Sequence, residues 1–253
     1  MLNFAMETAR EAGSVLLEKF GRKIKVSKKG EIDLVTEADI ASEKFIVEKI
    51  KTYHPMHSIL AEESGEAVLI GDGKWKWIID PLDGTTNFAH GYPCFCVTIA
   101  LEYKGEIVIA ATYDPTRDEM FSAEKGNGAS LNNKSIFVSE TEKLSDSLLV
   151  TGFPYDISKR DDFARNFTDM LLRSRAVRRD GSAAIDLAYV ACGRFDGFWE
   201  DGLNPWDMAA GVLLINEAGG KTSYYDGSEF SVYRPPLCAS NGLIHDEMLG
   251  VLS

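Results

Sequence analysis

Trp77-Ile78-Ile79-Asp80-Pro81-Leu82-Asp83-Gly84-Thr85-Thr86-Asn87-Phe88 brings two carboxylates, a carbonyl between them and a Gly-Thr turn to the end of an apolar run. The spacing predicts a strand over Lys76–Asp80 that Pro81 stops, since proline has no N–H for the ladder. Asp83-Gly84-Thr85-Thr86 can then open a helix. Asp80, the Leu82 carbonyl and Asp83 would point into one small volume, and hard oxygen donors of this kind suit Mg²⁺. Free N–H groups beginning near Gly84 and Thr85 would form an anion site for a phosphate. A structural reading covers the same residues, with Asp83 capping a helix and Asp80 ending a strand.

Four other segments repeat the pattern. Glu62-Glu63-Ser64-Gly65 follows a short strand over Ile59–Ala61. Such pairs are commonly solvated turns, and in a strand the two acids face opposite ways, so at most one is a direct ligand. Asp207 falls in the first turn of a helix that starts near Pro205, where the dipole stabilises a carboxylate without any ligand. Thr36 and Asp39 have capping-box spacing, itself a sufficient reason for both. Lys28 and Lys29 upstream could meet a phosphate or lie in an exposed loop. Gly181-Ser182 opens another helix, where backbone N–H groups could meet a ligand hydroxyl or phosphate and Ser182 could be a plain N-cap. Taken together these acidic ends suggest a Mg²⁺-dependent phosphoester site.

The bulk properties agree. The chain has 253 residues and a formal charge of −12, from 27 basic and 39 acidic side chains. That field repels nucleic acid, anionic membranes and phosphate esters alike, so a site for the last needs bound cations. No apolar run of about 18 residues is present, which excludes a membrane-spanning helix. The N-terminus lacks a basic segment followed by a long apolar one, so a cytoplasmic location is expected. Cys94-Phe95-Cys96 has strand-alternation spacing rather than a zinc pattern, and reduced, half-buried thiols are expected.

Apolar periodicity predicts helices over Leu2–Phe20, stopped by Gly21, and over Thr36 to about Tyr53, with Ile40, Phe45, Val47 and Ile50 apolar. Cys94–Tyr103, Glu106–Tyr113 and Glu119–Ala123 read as antiparallel hairpins. After about residue 140 strand and helix alternate: Leu148–Thr151, a helix over Asp161–Arg173 with Phe163, Phe167, Met170 and Leu171 on one side, Ala176–Arg178, a helix over Ser182–Ala191, Phe195–Glu200, and a helix over Pro205–Ala218. The expected fold is α+β with an antiparallel sheet in residues 1–140 and α/β in 141–253, two subdomains of one catalytic unit spanning 1–253.

These segments, in this order and at these intervals, resemble the inositol monophosphatase family. Asp-Pro-Leu-Asp-Gly-Thr-Thr-Asn-Phe is the most specific of them, and the match extends to Glu217-Ala218-Gly219-Gly220. The resemblance implies a layered αβαβα sandwich of the sugar-phosphatase type. It implies that Glu62, Asp80 and the Leu82 carbonyl hold one metal ion and Asp80, Asp83 and Asp207 a second, with a weaker third near Glu62. Gly84 and Thr85 would bind phosphate through their backbone, and Asp39 with Thr85 would orient the attacking water. Glu200 would hold inositol hydroxyls, helped by Asp83 and the Gly181, Ser182 and Ala183 backbone. Asp180 would disfavour a second phosphate, unless Arg178 and Arg179 offset it. The implied activity is lithium-sensitive hydrolysis of myo-inositol monophosphate by a homodimer. Fructose 1,6-bisphosphate, histidinol phosphate and 3′-phosphoadenosine 5′-phosphate are the alternative substrates, and a contact with RNA or the transcription machinery is the alternative role.

Overall fold

The computed structural model describes residues 1–22, 26–28, 34–67, 73–153 and 160–252. Lys29, Asp33 and the Lys28 side chain lie outside the described residues. Helix α1 (Leu2–Lys19) turns Ala5, Ala9, Ala12 and Leu16 inward. Gly21 follows it at φ +72°, the left-handed conformation that glycine accepts without strain. A hairpin of β1 (Val26–Lys28) and β2 (Leu34–Thr36) leads into α2 (Glu37–Tyr53). In α2 it is Ile46 and Ile50 that are buried, while Ile40 is 57 % exposed.

The first sheet contains β3 (Ser58–Ala61), β4 (Gly65–Ala67), β5 (Trp75–Asp83), β6 (Cys96–Tyr103), β7 (Glu106–Asp114), β8 (Glu119–Glu124), β9 (Ala129–Leu131) and β10 (Lys134–Ser135). Its order is β10-β9-β8-β7-β6-β5-β3-β4. The neighbours are antiparallel except for β3 and β5, which run parallel. Short α3 (Thr85–Ala89) sits between β5 and β6.

The second sheet follows from β11 (Leu148–Thr151), α4 (Arg160–Arg173), β12 (Ala176–Arg178), α5 (Ala183–Ala191), β13 (Gly197–Glu200), α6 (Pro205–Glu217), β14 (Lys221–Ser223), β15 (Leu237–Ser240) and α7 (His245–Leu252). Its order is β12-β11-β13-β15-β14. Strand β11 is parallel to β12 and β13, the expected α/β part, whereas β15 runs antiparallel to β13 and β14. The return strand makes this a mixed sheet. On α4, Phe163 and Met170 are buried as expected, but Leu171 is exposed.

The layers stack as helices α1 and α2, first sheet, helices α5 and α6, second sheet, helices α4 and α7. This is an αβαβα sandwich. Side chains on β5 alternate between its two faces: Trp77 and Ile79 join the α1–α2 core, and Ile78 the α5–α6 core. On β13 Phe198 faces the same central layer and Trp199 the outer one. Both sheets are covered on both sides, which is why these strands read as unbroken apolar runs. Each such fully buried side chain contributes about 2 kcal/mol relative to exposure.

Pro81 does not end the strand. Strand β5 continues to Asp83 through a bulge, with Asp80 opposite Thr98 and Asp83 opposite Cys96, so one residue more lies on β5 than on β6. Residues three apart in a regular strand face opposite sides. The extra residue cancels that alternation: Leu82 joins the outer α1–α2 core, and Asp80 and Asp83 share the inner side. Proline suits the position because a bulge leaves one residue out of the ladder.

Helices α5 and α6 touch at Gly211, where a Cβ would stand 2.5 Å from Leu187 Cβ. Gly211→Ala should therefore destabilise the protein by about 1–3 kcal/mol through overpacking. An unchanged urea midpoint would show that the two helices can separate freely.

Candidate active site

The cleft lies where the bulged end of β5, the β3–β4 turn, the starts of α3, α5 and α6 and the end of β13 meet. Its volume is about 110 Å³. That is comparable with the roughly 150 Å³ that accepts a benzene ring, so it suits a small ester. Glu62, Asp80, Leu82, Asp83, Gly84, Thr85, Gly181, Ser182, Ala183, Glu200 and Asp207, all expected from sequence, line it. Asp39 does not; it is fully buried behind Thr85.

One oxygen from each of Asp80, Asp83 and Asp207 lies within 4.8 Å of the others. Each of these carboxylates also has an oxygen tied to the protein. Asp80 Oδ1 accepts the Leu82 N–H at 2.9 Å, and Asp207 Oδ2 accepts the Asn204 N–H at 2.7 Å in a capping box. Asp83 Oδ2 accepts the Ser182 hydroxyl at 2.5 Å and the Ala184 N–H at 2.8 Å. Asp83 thus helps cap α5, not α3, and the Ser182 side chain makes no cap of its own. The N-cap of α3 is Gly84 at φ +93°, where a Cβ would come within 2.8 Å of the Cys94 carbonyl. First-turn N–H groups of α3 have no acceptor within the helix and remain available to an anion.

Glu62 and Glu63 directly follow the end of β3, as expected, in the turn to β4. Glu62 is outside the close oxygen group but hydrogen-bonds with Asp80. The Glu63 N–H goes instead to Glu43 Oε2 on α2 at 2.8 Å. Thr85 Oγ1 donates within reach of both Asp39 Oδ1, at 2.9 Å, and the Leu82 carbonyl, at 3.0 Å. Asp39 Oδ2 accepts the Thr36 N–H and hydroxyl, so the capping box and the contact with Thr85 coexist on one carboxylate.

Burial raises the Asp80 carboxyl well above its ordinary value, and the charges of Glu62, Asp83 and Asp207 add to this. Asp207 is raised by burial and then by Asp83. Asp83 is raised by burial against the opposing hydrogen bonds from Ser182 and the Ala184 amide. Burial also raises Asp39, opposed by the Thr36 and Thr85 hydrogen bonds. Glu200 is raised by burial and by Asp207, with Arg179 pulling the other way. A compact, mutually repelling set of hard oxygen donors fits a small divalent cation such as Mg²⁺.

A family model described as "Inositol monophosphatase family" matches residues 1–252. The chain is 46% identical to the inositol-1-monophosphatase of Synechocystis sp. over 254 residues, covering 100% of this chain and 88% of that one. It is 44% identical to the Nus factor SuhB of Pseudomonas aeruginosa over 247 residues, covering 95% and 91%. The chain belongs to the inositol monophosphatase family. It is therefore a phosphoric monoester hydrolase by family. The crystal structure of the extragenic suppressor protein suhB from Bartonella henselae superposes on this inositol monophosphatase family member with a TM-score of 0.95 at 40% identity, covering 99% and 97%.

Several residues at this family member's site escaped the sequence reading. Asn87 Nδ2 donates to the Cys94 and Asp180 carbonyls, each at 2.8 Å, and ties the α3 loop to the Asp180–Gly181 turn. Gly152 makes room for Glu200, since a Cβ there would overlap the Glu200 carboxyl. Of the two arginines already named from the sequence, both exposed, Arg179 lines the cleft and stacks on Phe153 and Arg178 does not line it. Asp186 also lines the cleft, and its signal was a lone acid in the apolar helix Ala183–Ala191. Cys94, Cys96 and Cys238 are free and buried rather than half-buried; only Cys192 is intermediate.

A carboxyl raised by folding keeps its proton to a higher pH in the folded protein than in the unfolded chain. Folding then takes up protons, and the stability this provides is lost as pH rises through the folded values. With divalent ions removed by EDTA, Tm should fall as pH rises above the ordinary carboxyl range. A Tm that rises steadily over that range would contradict the charge repulsion described.

Proposed function

We propose that this chain is a Mg²⁺-dependent phosphomonoesterase that hydrolyses a myo-inositol monophosphate to inositol and phosphate. The observation that carries the reading is the approach of Asp80, Asp83 and Asp207 beside the Thr85–Asp39 hydrogen bond. Two or three Mg²⁺ ions would be held by Glu62, Asp80, the Leu82 carbonyl, Asp83 and Asp207. When bound they supply positive charge to the phosphate and lower the pKa of water.

The protein's own groups account for the rest. The Gly84 and Thr85 amides hold phosphate oxygens, as a helix start does for anions. Thr85 donates its proton to Asp39, which leaves an oxygen lone pair to accept a proton from the attacking water. The water oxygen bonds to phosphorus, the ester P–O bond breaks, and the leaving alkoxide takes a proton from solvent. Asp39, made more basic by burial, receives the water's proton by way of Thr85. Glu200 and the Gly181, Ser182 and Ala183 backbone hold the hydroxyls of the alcohol. The side chains in this scheme come from both sheets, which supports treating residues 1–253 as one catalytic unit.

The free cysteines fit a reducing compartment, and among the described residues no helix is long and apolar enough to cross a membrane. A cytoplasmic homodimer completes the proposal. Purified protein with Mg²⁺ should release phosphate from inositol 1-phosphate with higher kcat/KM than from fructose 1,6-bisphosphate, histidinol phosphate or 3′-phosphoadenosine 5′-phosphate, and lithium at tens of millimolar should inhibit it. Preference for one of the others would replace the substrate assignment. Thr85→Ala should lower kcat by about 10²–10⁴, and a loss below tenfold would remove Thr85 from the proton path.

A second role is favoured by the relatives named as Nus factors, which suggest a contact with the transcription machinery. Asp83→Asn separates the two. Catalysis should collapse, while a docking role should survive in a transcription assay.

A further inference from the structure

Asp186 stands in the first turn of α5, is 1 % exposed, and lines the cleft with Glu200. Its Oδ1 is buried and has no hydrogen-bond partner among the described residues. Its three neighbours in the cluster of candidate metal ligands each have an oxygen fixed by the backbone; Asp186 has no such tie among the described residues. A buried acceptor left unpaired costs the protein about 1–3 kcal/mol, so its place on the wall of a cleft needs a cause outside the fold.

The surrounding charges indicate what the missing partner is. Burial disfavours a charged Asp186, Asp180, Glu200 and Asp83 repel it, and Arg179 attracts it. Arg179 is the only lysine or arginine among the described residues lining the cleft. A second phosphate on the alcohol would meet several carboxylates and one guanidinium. A hydroxyl group, by contrast, brings the donor that Asp186 Oδ1 lacks and no negative charge. Glu200, seated over Gly152 at the end of β13, offers acceptors from the neighbouring element.

We propose that Asp186 and Glu200 together form a two-carboxylate acceptor pair for separate hydroxyl groups of the leaving alcohol, and that Asp186 is a substrate-binding residue that selects polyol monoesters against bisphosphates. This rests on the phosphomonoesterase reading above and adds a residue and a selection rule to it. A site built to receive hydroxyl donors discriminates strongly against analogues without them, because its buried polar atoms are then unpaired.

The test compares wild type, Asp186→Asn and Asp186→Ala on inositol 1-phosphate and on cyclohexyl phosphate, which keeps the ring and removes the hydroxyls. Both variants should lose at least tenfold in kcat/KM on inositol 1-phosphate, mostly through KM, and less than twofold on cyclohexyl phosphate. Asp186→Asn should melt at or above the wild-type Tm, since it removes a buried unpaired carboxylate. Equal losses on both esters, or no loss on the inositol ester, would overturn the proposal. So would a wild type that prefers fructose 1,6-bisphosphate, which would also overturn the substrate reading. If the wild type instead prefers another polyhydroxylated monoester, the inositol assignment alone fails. The variant ratio, measured on that ester against cyclohexyl phosphate, then decides the role of Asp186.

Discussion

Mutual repulsion among Asp80, Asp83 and Asp207 is the constraint around which the rest of the molecule is arranged. Two like charges 4 Å apart repel by about 4 kcal/mol at the effective dielectric of a protein surface. Here three carboxylates bring oxygens within 4.8 Å of one another in a buried place, with Glu62 beside them. Left to itself such a group would splay apart or stay protonated. It is held because its side chains come from elements packed for other reasons: β5 inside a sheet covered on both faces, and α6 between the two sheets. The hydrophobic layers supply the free energy and the acids consume part of it, as functional sites commonly do.

Holding a repelling cluster also needs direction, and here it comes from main-chain hydrogen bonds. Asp80, Asp83 and Asp207 each give one oxygen to a backbone N–H. The approach of one oxygen from each to the others is what a cation can bridge. Asp39 repeats the scheme, with one oxygen on Thr36 and the other on Thr85. The capping interactions are therefore the means by which these carboxylates are aimed. Asp83 matters most in this respect, because it is carried by the first sheet and caps a helix of the second half. Asn87 adds a second tie across the same seam.

This also explains how much could be read from the residues alone. Thr36 with Asp39, and Asp207 near Pro205, have spacings that announce helix starts, and both starts are found where expected. The difficulty lay in choosing between cap and ligand, and the two oxygens of a carboxylate allow both. The Trp77–Phe88 stretch exposed its residues but not its geometry. A proline after Asp80 reads as a strand end, yet the bulge lets β5 run on to Asp83, because pairing with β6 is decided by long-range contacts. Asp186 was hidden for a different reason. One acid in an apolar helix carries no spacing signal, and only the packing of α5 against the cleft shows that its Oδ1 has no hydrogen-bond partner among the described residues. Gly152 was equally silent, since its role is to leave space for a side chain 48 positions away.

The cleft is acidic at both ends, and the two ends resolve that charge by different means. At the end formed by Asp80, Asp83 and Asp207 the oxygens are close together and partly anchored, which is the geometry that a divalent cation neutralises. At the end formed by Glu200 and Asp186 no such close group exists among the described residues, and one guanidinium, Arg179, stands among several carboxylates. Spread acceptors are satisfied by spread donors, and the hydroxyls of a polyol are such donors without added charge. Under the proposed function, a phosphate monoester of a polyol has complementary ends: an anion for the cations, and hydroxyls for the carboxylates. A bisphosphate matches the first end and opposes the second. On that proposal, substrate choice in this protein follows from where each acid's second oxygen is tied: the tied cluster would take a metal ion and the untied carboxylate a hydroxyl.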